Sequence, residues 1–351
     1  MIKLDNLIKE AMGKGGSDIH LTTGRPPTFR VDGILVLFND EKLTSLDIEE
    51  VVDEIVHGDQ KTILQKTGEV DFAYSVAGIG RFRVNVFTQR GSYAMALRLL
   101  PFEIPSPKKL GIPESVVEMV NKKRGLVLVT GATGSGKSTT LASLINEINQ
   151  KYAYHIITLE DPIEYLHKHN KSIVNQREIG TDTKSYANAL RAALRQDPDV
   201  ILVGEMRDLD TISIAVTAAE TGHLVFSTLH TMGAANTIER IIDVFPPYQQ
   251  QQIRIQLSTV LECVVCQQLI PTDDGMGRVA AFEVMLANSA IRNLIRETKT
   301  FQIPSTIQTA KKSGMQLMDD ALYDLFIEGR ISKEMAISYA GDPISLQRKV
   351  Y

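Results

Sequence analysis

Hydrophobic positions at the start of the chain recur at helical spacing, in Met1-Ile-Lys-Leu-Asp-Asn-Leu-Ile-Lys-Glu10, which predicts an amphipathic helix. Short alternating runs at 19–21, 28–31 and 34–38 predict strands, and 45–56 reads as a second helix. Stronger strand patterns occupy 80–87 and 92–100, joined by Gln89-Arg-Gly91 in the manner of a hairpin. Residues 1–100 thus read as a small α+β domain. The stretch 101–113 then carries four prolines, which can continue neither a helix nor a central strand, and is expected to be a linker.

Past the linker the pattern changes to short apolar runs at 126–130, 155–159, 200–203 and 224–228, with helical segments between them. That order predicts a mostly parallel sheet covered by helices. One more strand is expected at 278–286, followed by helices to the end, including 315–327. The expected division is 1–100, a linker at 101–113, an α/β core at 114–287 and a helical region at 288–351. No internal repeat or low-complexity tract is evident.

Composition narrows the class. The 351 residues are 43% hydrophobic and 23% charged, the balance of an ordinary globular protein. The opening helix lacks the unbroken apolar core of a signal peptide or membrane span, and Cys263 and Cys266 are too few for a disulfide framework, so a cytoplasmic protein is expected. A net charge of −4 offers no electrostatic footprint for nucleic acid, and none is expected as a partner.

The first candidate chemistry lies at Gly131-Ala-Thr-Gly-Ser-Gly-Lys137-Ser138, a Gly-x4-Gly-Lys-Ser run after an apolar strand and before the helix expected at 138–148. Its glycines let successive N–H groups curl around phosphates at a helix N-terminus. Gly131, Ala132, Thr133, Gly134, Ser135, Gly136, Lys137, Ser138 and Thr139 are therefore the expected nucleotide-binding residues. Lys137 is to reach the β- and γ-phosphates and Ser138 to hold Mg²⁺, which makes ATP and Mg²⁺ the expected cofactors. A turn that binds nothing is the alternative, and the strand-loop-helix context argues against it.

Acidic residues supply the rest. Val200-Ile-Leu-Val-Gly-Glu205 is an apolar strand ending in an acid, with Gly204 where an aspartate is usual, so Glu205 reads as acting on Mg²⁺ through water or on the attacking water. Ile157-Thr-Leu-Glu160-Asp161-Pro-Ile-Glu164 places three carboxylates at another strand's C-terminal end, where ligands gather in open α/β sheets. His223 and His230 flank a strand, and His230, beside Thr228 at the C-terminal end, is the better placed to sense a γ-phosphate. Cys263-Val-Val-Cys266 is half of a four-ligand zinc site and reads as core packing.

In their order and spacing these runs resemble the secretion ATPase superfamily, the ring motors of type II and type IV secretion and of type IV pili. The matching segments are 131–138, the acidic run 157–164, Gly204-Glu205, and Thr217-Ala-Ala-Glu-Thr-Gly-His223 through Thr228-Leu-His230. The resemblance covers nearly the whole chain. It implies a PAS-like N-terminal domain joined flexibly to a RecA-like P-loop core, a homo-hexamer, and ATP between the domains. It further implies Glu164 as general base, Glu205 as the acid of the second phosphate motif, His223 and His230 as a histidine box, and arginines from the N-terminal domain, Arg81, Arg83 and Arg98, on the phosphates. Glu160 belongs to the same acidic box.

Ala290-Ile-Arg-Asn-Leu-Ile-Arg-Glu297 resembles a motif of the superfamily's pilus-retraction branch, the motors of twitching motility. The resemblance then implies an inner-membrane pilus platform protein as partner, pilin indirectly, and a location at the cytoplasmic face of the inner membrane. Four other readings remain open on sequence: an extension or type II secretion motor, an accessory retraction ATPase, a nucleic-acid translocase, and a nucleotide-gated module that does not hydrolyse.

Overall fold

The computed structural model describes residues 4–31, 33–76, 79–100 and 103–350. The first three positions of the opening helix and the first two of the expected linker lie outside the described residues. The chain divides into two compact units, Met1–Glu103 with Pro162–Leu166, and Ile104–Asp161 with His167–Tyr351.

The first unit is built on an antiparallel sheet of β1 (Gly16–Thr22), β2 (Thr28–Val31), β3 (Ile34–Leu37), β4 (Glu69–Val76), β5 (Gly80–Gln89) and β6 (Ser92–Leu99). Its order is β3-β2-β1-β6-β5-β4. Period-two alternation in β5 buries Phe82, Val84 and Val86 on one face and leaves Arg81 and Arg83 on the other. Helices Leu4–Gly13 and Ser45–Ile55 contribute their apolar stripes to the same core. The second is started by a capping box in which Thr44 Oγ1 accepts from Asp47 N and Asp47 answers to the Thr44 N–H. A helix at Gly58–Thr67 and strand β4 are additions to the elements expected from sequence.

The second unit holds a seven-stranded sheet of β7 (Gly125–Thr130), β8 (His155–Glu160), β9 (Ile173–Glu178), β10 (Val200–Val203), β11 (Leu224–Leu229), β12 (Leu261–Pro271) and β13 (Arg278–Leu286). The order is β13-β12-β7-β11-β10-β8-β9, and every pairing is parallel except that of β12 with β13. All six residues of β7 and of β11 are buried, as strands covered on both faces require. The unit is a mostly parallel sheet within a mixed α/β fold, as the RecA-like resemblance implies.

Residues 104–112 pack with this unit rather than hanging free. Ser106 caps the short helix Pro107–Leu110, Ile112 is buried, and Ser143 Oγ donates to the Pro105 carbonyl at 2.7 Å. The C-terminal helices also join this unit's core, through Ile291, Ile295, Ile303, Ile307, Leu322 and Leu346.

Candidate active site

The phosphate loop lies between β7 and the helix Lys137–Lys151. Gly131, Gly134 and Gly136 have φ of +142°, +79° and +90°, conformations that L side chains rarely adopt. At two of them space is closed as well. A Cβ on Gly131 would stand 2.3 Å from the Gln267 carbonyl oxygen, and one on Gly136 would stand 2.8 Å from Gln267 Nε2. Gln267 comes from β12, is itself buried, and accepts a 2.7 Å hydrogen bond from Thr140 Oγ1, so the neighbouring strand braces the loop from beneath. Sequence reading missed Gln267, since nothing local marks a polar residue inside a strand as a support.

Lys137 is 8% exposed, and its Nζ donates to the carbonyls of Gly131 (2.9 Å) and Ala132 (3.0 Å), placing a cation over the loop. Ser135 Oγ is buried there without a hydrogen-bond partner among the described residues. Ala132, Thr133, Gly134 and Ser138 are exposed, and Thr139 is half-buried. A glycine cradle, a lysine cation and an orphaned hydroxyl fit a polyphosphate at a helix N-terminus. Among the described residues no set of three or more His, Cys, Asp or Glu could hold a metal alone. A hydroxyl and a carboxylate completed by phosphate oxygens and water suit Mg²⁺.

Beside the loop is a cavity of about 380 Å³ lined by Thr133, Glu205, Arg207, Thr228, His230 and Arg240, among others. Glu205 follows the C-terminal end of β10. Its Oε1 accepts from Arg207 Nε at 2.8 Å, and its Oε2 stands 3.6 Å from His230 Nε2. Burial, with the Lys137 and Arg207 cations adding to it, holds His230 below the ordinary histidine pKa against the opposing pull of Glu205. His230 is thus a neutral hydrogen-bonding group at neutral pH.

Gly204 also has a steric explanation. A Cβ there would meet Tyr186 Oη at 2.8 Å and the Leu159 carbonyl at 3.0 Å, so a side chain just past β10 would crowd the end of β8. Thr228 Oγ1 donates to the Gly204 carbonyl at 2.6 Å, tying β11 to the same point. Glu160, at the end of β8, accepts from Thr158 Oγ1 (2.6 Å) and Gln176 Nε2 (3.0 Å). Tyr186 is a further participant without a sequence signal. Burial, then the charges of Asp161, Glu205 and Glu160, drive its phenol well above the usual value, so it stays protonated.

Other candidates lie elsewhere. His223 precedes β11 and His230 follows it, so the strand's length separates them by about 20 Å. His223 Nδ1 contacts the Ala218 carbonyl at 2.9 Å, at the end of the sheet away from the phosphate loop. Glu164 falls in Pro162–Leu166, which groups with the first unit, and is half-buried. In that unit Arg83 and Arg98 are cross-strand neighbours, and each is balanced by an acid: Arg83 Nε reaches Asp71 Oδ2 at 3.0 Å and Arg98 Nε reaches Asp18 Oδ1 at 2.8 Å. Arg81 Nη1 lies 3.4 Å from Ser75 Oγ. Cys263 and Cys266 are buried free thiols inside β12; burial pushes Cys266 up to about 12 and Cys263 higher still, which fits packing rather than metal binding.

A phosphate cradle at the end of the β7 strand, backed by an acid and a neutral histidine on adjoining strand ends, defines a P-loop ATPase. Residues 1–335 match the family model of type II/IV secretion system proteins, and the chain belongs to that family. It is 46% identical to the type IV pilus retraction ATPase PilT of Pseudomonas aeruginosa over 97% of this chain and 98% of that protein. It is 49% identical to a twitching motility protein of Neisseria gonorrhoeae over 88% of this chain and 83% of that one. The crystal structure of the pilus retraction motor PilT with bound ADP matches with a TM-score of 0.93 at 53% identity, covering 99% of this chain and 100% of that chain.

Proposed function

We propose that this protein is an ATP-hydrolysing motor that powers retraction of type IV pili. The observation that carries the reading is the Gly131–Gly136 cradle under the Lys137 cation, with Glu205 and His230 facing one cavity beside it. Similarity to retraction motors over nearly the whole chain supports the direction of work.

In this reading water attacks the γ-phosphate while Lys137 and the loop N–H groups offset the developing charge. Ser138 and Glu205 would hold Mg²⁺, which when bound neutralises phosphate oxygens. Glu164 takes the role of general base, and Glu160 and His230 orient groups around the reacting phosphate. Arg81, Arg83 and Arg98 are the cations a PAS-like first unit brings toward phosphate, Arg83 and Arg98 exchanging their present acid partners for it. His223, remote from the loop within its own subunit, keeps its place with His230 in the histidine box, and the motor works as a homo-hexamer. Nucleotide turnover rotates one unit against the other about the chain near Glu103, and the ring passes that motion to an inner-membrane platform protein, and through it to pilin, at the cytoplasmic face.

Phosphate release by purified protein tests the chemistry. Glu164→Gln and Glu205→Gln should each lower turnover by about 10²-fold or more while ATP binding stays, because an amide keeps the shape and cannot take a proton. Full activity in Glu164→Gln with loss in Glu205→Gln would transfer the base role to Glu205.

A further inference from the structure

The segment after β10 carries two charged side chains into the cavity. Glu205 and Arg207 are separated by Met206, which is buried and whose N–H donates to the Thr228 carbonyl at 3.2 Å. Just beyond, Asp208 caps the helix Leu209–Glu220, accepting from Thr211 N and Thr211 Oγ1 at 2.9 Å each. The segment is therefore anchored in the middle and at its far end, and Arg207 sits between two fixed points. From there its Nε donates to Glu205 Oε1 at 2.8 Å, while Glu205 Oε2 lies 3.6 Å from His230 Nε2. All three side chains line the cavity that Thr133 of the phosphate loop also borders.

We propose that Arg207 is a positioning residue for hydrolysis, holding one oxygen of the Glu205 carboxylate so that the other stays turned toward His230 and the reacting phosphate. The inference rests on the reading of Glu205 as an acid of the ATPase site. A carboxylate on a two-carbon stem rotates freely unless something fixes it, and a charge-assisted hydrogen bond to one oxygen does so. Hydrolysis depends on such orientation to within a fraction of an ångström.

The pair's contribution to folding is small by comparison. The Arg207 side chain is 70% exposed, and ion pairs in that setting add little to stability. Removing the guanidinium therefore separates positioning from folding. The neighbouring cations do not replace it: Lys137 Nζ donates to the loop carbonyls of Gly131 and Ala132, and among the described residues Arg240, though it borders the cavity, makes no hydrogen bond to Glu205.

The test is phosphate release and thermal unfolding of the full chain carrying Arg207→Gln, Arg207→Lys, Glu205→Gln, and the pair Arg207→Gln with Glu205→Gln. Arg207→Gln should lower kcat about tenfold or more with KM for ATP within about threefold, and leave the melting temperature within about 2 °C. Arg207→Lys should recover most of the loss, since the cation is kept. The double variant should be no slower than Glu205→Gln alone, because an orienting residue has nothing left to orient. Wild-type kcat in Arg207→Gln beside an inactive Glu205→Gln overturns this proposal and leaves the ATPase reading intact. A loss in Arg207→Gln confined to KM, or matched by a falling melting temperature, or repeated in full on top of Glu205→Gln, overturns it as well. Wild-type turnover in Glu205→Gln instead removes the reading on which it rests.

Discussion

Gly204 shows how packing decides a single position. The Tyr186 hydroxyl and the Leu159 carbonyl would have to shift to admit a Cβ, so Gly204→Ala should destabilise the protein by about 1–3 kcal/mol and displace Glu205, lowering turnover. Denaturant unfolding and phosphate release measure the two effects. Lys137→Ala should abolish turnover and weaken ATP binding, because the cation the loop positions is lost; near-normal turnover would remove the loop from the mechanism. His167 gives a pH signature independent of catalysis. Burial lowers its pKa from 6.5 to about 4 in the folded protein, so between those values the unfolded chain takes up a proton that the native state refuses. Its contribution is complete above pH 6.5 and is lost as the pH falls toward 4. Urea unfolding should show roughly 1–2 kcal/mol less stability from this group at pH 5 than at pH 7, and His167→Gln should flatten that difference. Lys137, Glu205 and His230 were legible in the sequence because each sits in a local motif at a strand end. Gln267, Tyr186 and Arg207 were not, because their meaning depends on strands and helices far away in sequence.

The helix Ser289–Arg296 carries the run that resembles the retraction branch, and its packing sorts that run into two kinds of residue. Ile291 and Ile295 are fully buried, and Leu294 packs against the same core. Arg292 donates to the carbonyls of Ser258 (2.7 Å) and Thr259 (2.6 Å) and to Glu262 Oε1 (2.8 Å), capping the end of the helix Pro247–Val260. Ala290, Asn293, Arg296 and Glu297 are the exposed positions of this run, and of these Asn293 and Glu297 are tied to each other by a 3.0 Å hydrogen bond. Replacing Ile295 by alanine should therefore cost about 2–5 kcal/mol through the cavity it leaves, which makes it a poor probe of coupling. Arg296→Glu is the better one: melting temperature and ATP turnover should be unchanged while pilus retraction slows. Normal retraction in that variant would confine the run to a structural role. Most elements were predictable from hydrophobic period alone, and the exceptions have causes. Strand β12 follows the helix Pro247–Val260 with no glycine or proline between them, the chain switching at Leu261 (φ −64°, ψ 127°), so no punctuation marks the change. Strand β9 is a sheet edge with the polar run Asn175-Gln-Arg-Glu178, which lacks an apolar signature.

The order of apolar runs was enough to give a parallel sheet with the phosphate loop after its first strand, because strands buried on both faces must be continuously apolar. The proline-rich stretch illustrates the opposite case. Its composition argues for a linker, yet residues 104–112 are held to the second unit by Ser143 and by burial of Pro107 and Ile112. The proline content suits a fixed path as well as it suits a flexible one. Direction of force is a property of the working assembly, and it is there that the central claim is most exposed. The decisive measurement is fluorescence imaging of labelled pili in cells from which this protein has been removed and then restored, either as wild type or as Lys137→Ala. Pili that extend in its absence, fail to retract, and retract again only with the wild-type protein are the predicted result. Cells that make no pili without it, or retraction restored equally by Lys137→Ala, would contradict an ATP-driven retraction motor.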